Sequence, residues 1–239
     1  MKFIEISMKI NRCIYEIWQE AFSKRDFKIS FFLSILLALS TISLTSKWLL
    51  YNESRSSAPL NDWILALFTP LDLNIPIFFF TQTAVVIGLI TSALLPYHLI
   101  KTLLCVTLIA LLRIIAMYFV PLEPPLDIIP LRDPLIEGFF FGGKVIVKDL
   151  FFSGHTSNLI LLSLITPFNK VRFYLFLSAI VVAIMLMLQH VHYTIDILVV
   201  PLFALLAIEI ADTIMKLIFK RPIDLSRSKS LCMLFQKST

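Results

Sequence analysis

The 239-residue sequence predicts an all-α fold: a polytopic membrane protein built as a bundle of six transmembrane helices. Three observations carry this. Hydrophobic residues make up 58% of the chain and charged residues 15%, against roughly 45–50% and 25% in a soluble domain. The mean hydropathy is +0.88. Six apolar stretches are long enough to stand as helices, and a spanning helix needs about 20 residues. With 21 Phe and only 5 Gly, the composition also excludes a disordered or collagen-like chain.

Each segment has its own signature. In residues 1–28, Glu5, Glu16 and Glu20 interrupt any signal-peptide core. Phe3, Ile6, Ile10, Ile14 and Ile17 instead recur at helical spacing. This amphipathic helix lies either on a membrane face or against the loops of the bundle. The expected spans are Ile29–Leu50, Ile75–Leu95, Leu99–Pro121, a short Ser153–Phe168, Arg172–Gln189 and Thr194–Phe219. Pro76 suits a first helical turn in the second span. Residues 29–219 thus form the membrane domain and 220–239 a basic tail. The three cysteines (Cys13, Cys105, Cys232) are scattered and make neither a disulfide framework nor a zinc motif.

The net charge of +5 reads as a topology signal rather than a nucleic-acid footprint. With six spans, fifteen Lys and Arg fall on one side and four on the other, with Lys47 and Arg113 inside spans. The positive-inside rule then makes both termini cytoplasmic. Loops 51–74, 122–152 and 189–193 face out.

Three of four histidines fall at that outer side: His155, His190 and His192, with His98 on the inner turn. Spans four and five form an antiparallel hairpin. Eighteen residues of helix return the chain about 27 Å, so His155 and His192 meet at one level. His192 and Asp196 stand four apart, on one face of a helix. A carboxylate on one ring nitrogen fixes the tautomer and makes the other a better nucleophile. A separate histidine can then serve as proton donor, and Arg113 can neutralise phosphate oxygens. Plainer readings stand beside these. A histidine at a helix end is commonly an interfacial residue, two histidines and an acid can bind a metal, and Arg113 can snorkel to the interface.

The segments Asp149-Leu150-Phe151-Phe152-Ser153-Gly154-His155-Thr156 and His190-Val191-His192-Tyr193-Thr194-Ile195-Asp196 resemble the sphingomyelin synthase branch of the type 2 phosphatidic acid phosphatase superfamily. That branch reads G-D-x-x-F-S-G-H-T and H-x-H-Y-T-x-D. Arg113-Ile114-Ile115-Ala116-Met117-Tyr118 and Pro59-Leu60-Asn61-Asp62 are weaker matches to R-x-x-T-M-Y and P-L-P-D. The resemblance covers roughly residues 55–215. It implies His192 as nucleophile, Asp196 as its orienting acid and His155 as general acid and then base. It also implies substrate contacts at the matching positions Arg113, Tyr118, Asp149, Ser153, Gly154, Thr156, His190 and Tyr193. The implied reaction moves phosphocholine or phosphoethanolamine from a membrane phospholipid donor to ceramide or another lipid alcohol, without metal or cofactor, on the exoplasmic side. The implied membrane is a bacterial inner membrane or a eukaryotic Golgi or plasma membrane. Ala116 and Lys148 depart from the family's Thr and Gly and bear on acceptor identity.

The wider superfamily's phosphatases carry K-x-x-x-x-x-x-R-P, P-S-G-H and S-R-x-x-x-x-x-H-x-x-x-D. Here Phe152 precedes Ser153, and Met185-Leu186 stand where Ser-Arg would. A phosphomonoester is nearly a dianion at neutral pH, so one intramembrane arginine suits a diester better. Tyr118, Tyr193 and the Phe139–Phe141 run are candidates to face a quaternary amine. The readings are therefore a headgroup phosphotransferase, a phosphatase or phospholipase-C-like hydrolase, or a non-enzymatic transporter or scaffold.

Overall fold

A computed structural model describes residues 2–132 and 143–219. The basic tail and the Phe139–Phe141 run lie outside the described residues. Helix α1 (Lys2–Ser23) is followed by α2 (Arg25–Glu53), α3 (Asn74–Ala93) and α4 (Pro96–Phe119). Then come α5 (Gly154–Ile165), α6 (Asn169–Leu188), α7 (Thr194–Leu198) and α8 (Val200–Ile218). No strand occurs among the described residues; one parallel bridge joins Ala58 to Leu122.

Five segments are long and apolar enough to cross a membrane: α2, α3, α4, α6 and α7–α8 taken together. Their polarity is turned inside out relative to a soluble helix. On α2, Ser30, Ser34, Ala38 and Thr41 are buried, while Phe32, Leu36 and Leu39 are exposed. Lipid gives no hydrophobic reason to bury large side chains, so small residues take the helix contacts. The inward hydroxyls of Ser30 and Ser34 are satisfied on their own helix, donating to Asp26 O and Phe31 O. The same logic puts Ala204, Ala207 and Ala211 of α8 fully inside, where that helix meets α4 and α5.

The fourth expected span is a 12-residue helix, α5, about 18 Å long against a hydrocarbon core of about 30 Å. Its end is dictated by Pro167, which holds Thr166 in an extended conformation (ψ 132°). The last span breaks at Val199, just before Pro201. The turn between α3 and α4 shrinks to Leu94–Leu95, so His98 falls in the first turn of α4. Helix α1 packs on the bundle: Ile10, Cys13, Ile14 and Ile17 meet Leu94, Leu95, Phe168 and Val171. The Trp18 indole donates to Ala93 O.

Helix α4 is the hub, touching α1, α2, α3, α5 and α8. Helix α2 leans on α4 and scarcely meets α3. The gap between α2 and α3 becomes a cavity, and the loops 54–73, 120–132, 143–153 and 189–193 gather at one end of the bundle.

Candidate active site

The loop end is pinned by directional bonds. Helix α6 stops in a Schellman turn: Val191 N–H donates to Leu186 O, and His190 N–H to Met187 O. His190 occupies the left-handed position (φ 57°), where glycine is usual. Gln189, fully buried, accepts from Leu73 N–H and donates to Asn74 Oδ1 and Ile129 O. This ties α3, α6 and the 128–132 loop together.

His192 is turned into the protein and is 1% exposed. Its Nδ1 lies 3.2 Å from Asp196 Oδ2, and the same oxygen accepts from Tyr193 N–H at 3.1 Å. The pair meets as expected, but by another route. His192 stands two residues before α7, and Asp196 reaches back from the third residue of that helix as a capping acid does. Asp62 fixes the start of α7. Its carboxylate accepts from Thr194 N–H at 2.6 Å and Thr194 Oγ1 at 3.1 Å, and from Ile64 and Leu65 N–H. Burial pushes the Asp62 pKa up, but these four bonds outweigh it and hold the group below its ordinary value.

His155 sits in the first turn of α5. Ser153 caps that helix through Thr156 N–H, and Ser153 N–H donates to Asp196 O, coupling the α5 cap to α7. Beneath this turn lies Arg113, 8% exposed. Its Nε donates to Phe152 O at 3.0 Å, and its Nη2 pairs with Asp149. Gly154 permits the approach: a Cβ there would stand 2.7 Å from Arg113 Cζ. Asp149 is reached through Glu53, which accepts from Val147 and Lys148 N–H, and Asn52, which donates to Lys148 O.

These groups surround one end of a cavity of about 460 Å3. His155, His192, Arg113, Asp149 and Gly154 line its polar end; Ile42, Leu49, Val85, Leu89, Val106 and Ile109 are among its apolar walls. An anion placed there would face Arg113 and the positive end of the α5 dipole. Among the described residues, no group of three or more His, Cys, Asp or Glu could hold a metal ion.

Residues 148–212 match the family model described as PAP2 superfamily C-terminal. That match supports membership of the PAP2 superfamily. It spans Asp149, His155, His192 and Asp196, and supports a function of lipid phosphatase or phosphotransferase type. Neither the curated proteins nor the solved structures gave a match.

Five residues expected to touch substrate do not line the cavity. Tyr118 is 57% exposed and lies beside Arg55, Trp48 and Phe119, tilted against Trp48 and edge-on to Phe119. Arg55 draws it there by bonding Met117 O and Tyr118 O at the end of α4. Tyr193 is buried; its hydroxyl accepts from Leu60 N–H and donates to Glu123 O. Ser153 and Thr156 are taken up in the α5 cap, and His190 in the Schellman turn. Gln189, Glu53 and Asp62 also shape the site, although no catalytic motif contains Gln189 or Glu53. Of these, Asp62 alone had a signal, the Pro59-Leu60-Asn61-Asp62 segment.

Proposed function

We propose that the protein is a membrane phosphotransferase that moves a phosphocholine or phosphoethanolamine headgroup from a glycerophospholipid to a lipid alcohol such as ceramide. The observation that carries the reading is the shared cavity, with His155 and His192 at its polar end and Asp196 behind His192. Asp196 accepts the Nδ1 proton of His192, leaving Nε2 with its lone pair free to attack phosphorus. The bond from phosphorus to the glycerol oxygen breaks, and His155 protonates that oxygen. The acceptor hydroxyl then gives its proton to His155, bonds to phosphorus, and returns the electron pair to Nε2.

The charge around the phosphate supports a diester over a monoester. Arg113 is paired with Asp149, so the two together carry no net charge. A zwitterionic headgroup matches such a pair, its phosphate against Arg113 and its amine against Asp149. A phosphate dianion would want more cations. The apolar walls suit lipid chains on both substrates. By the positive-inside count, the loop end faces the exoplasmic or periplasmic side, with both termini cytoplasmic.

The test is purified protein incubated with headgroup-labelled phosphatidylcholine or phosphatidylethanolamine and a fluorescent ceramide. Labelled ceramide product that is lost in His192→Ala supports transfer. Headgroup release with no acceptor product makes the protein a hydrolase, and full activity in His192→Ala removes the nucleophile assignment.

A further inference from the structure

A second, much smaller chamber of about 10 Å3 adjoins the first, lined by Ile77, Phe78, Thr81, Leu131, Arg132 and His155. His155 and Thr81 line both spaces; His192 lines only the large one. The chamber therefore meets the large cavity at His155 and Thr81 and does not touch the nucleophile. Its size is about that of a single water, and a water there needs two or more polar partners.

Thr81 stands out on its own helix. Thr83 and Thr91 of α3 both turn their hydroxyls back to the carbonyl four residues earlier, Phe79 O and Ile87 O. The Thr81 hydroxyl, on a residue only 6% exposed, has no partner among the described residues. An orphaned buried hydroxyl is destabilising unless a ligand or water completes it.

We propose that this chamber is the seat of the accepting hydroxyl, held between the Thr81 side chain and the His155 imidazole. The inference rests on the phosphotransfer reading above. The seat takes one oxygen: water in hydrolysis, or the terminal hydroxyl of a lipid alcohol whose chains lie in the large cavity. Thr81 Oγ1 donates its hydrogen to that oxygen. The oxygen gives its own proton to His155 and attacks phosphorus from the side opposite His192, and the phosphorus–Nε2 bond breaks.

The two half-reactions separate with p-nitrophenyl phosphocholine, whose acidic phenol leaves without a proton donor. Phenolate release then reads attack by His192. Decay of the phosphocholine adduct, followed by intact mass after rapid quench, reads acceptance. Thr81→Val should leave the first-turnover burst of phenolate unchanged and slow adduct decay roughly tenfold, the worth of one hydrogen bond. Thr81→Ser should restore decay to about twofold of the original rate. With water alone or with short-chain ceramide, the product (free phosphocholine or ceramide phosphocholine) identifies the hydroxyl that the seat takes. Adduct decay in Thr81→Val as fast as in the unaltered protein overturns the seat. So does an equal loss in both half-reactions, which marks Thr81 as packing only. If the unaltered protein forms no adduct on His192, the phosphotransfer reading falls and takes the seat with it.

Discussion

Replacing Gly154 by alanine separates helix propensity from site geometry. Within a helix, glycine to alanine ordinarily stabilises by up to about 1 kcal/mol. Here the added Cβ would stand 2.7 Å from Arg113 Cζ and 2.9 Å from Nη2, well inside the 3.4 Å at which ordinary contact begins. The guanidinium cannot slide away freely, because Nε is bonded to Phe152 O and Nη2 to Asp149. Displacing it forfeits a charged hydrogen bond worth about 1.5–3 kcal/mol, which exceeds the propensity gain. Gly154→Ala should therefore lower the melting temperature in detergent. It should also slow headgroup transfer by about 10²–10³, as loss of a positioned charge-stabilising donor does. In an Arg113→Ala background the same substitution should cost less than about twofold, because the clash partner is gone. Unchanged melting and transfer in Gly154→Ala, or an undiminished loss in the Arg113→Ala background, would refute the proposed packing.

Three further outcomes follow from the geometry. Asp196→Asn should reduce adduct formation by about 10²–10⁴ with folding retained, since an amide no longer fixes the His192 tautomer; rapid-quench rates check this. Asp62→Asn should cost about 1 kcal/mol through the Thr194 bonds. Because the folded Asp62 is held below its ordinary pKa, its contribution is complete above about pH 4 and is lost as pH falls through the lower folded value. Melting curves of Asp62→Asn should lack that part of the acid sensitivity. Tyr118→Phe, outside the cavity, should keep turnover within about twofold, as surface changes do; a tenfold loss of turnover would return Tyr118 to the site.

The two histidine segments could be located along the chain because SGHT and HYTID are contiguous, and chemistry carried by adjacent residues leaves a local signature. Asp196 beside His192 was legible for the same reason, although the contact is made by a capping carboxylate rather than along a helix face. The positions of Tyr118 and Tyr193 outside the cavity lining are not legible in the motifs, because a motif reports which residues recur together, not which way each ring turns. Arg55 and Glu123, distant in sequence, decide that. Gln189 and Thr81 carried no local signal, since their partners or cavities are formed by other elements.

By itself, the sequence determined the membrane class, the approximate spans and the positions of the two histidine segments. Those properties follow from hydropathy, period and side-chain type, which are summed locally. Tertiary structure alone decided that the fourth span is a half-length helix, that Gly154 is a seat for Arg113, and that α2 stands off α3 to leave a cavity. Those depend on how close two surfaces can come, and in a bilayer that is set by small residues at helix contacts rather than by hydrophobicity.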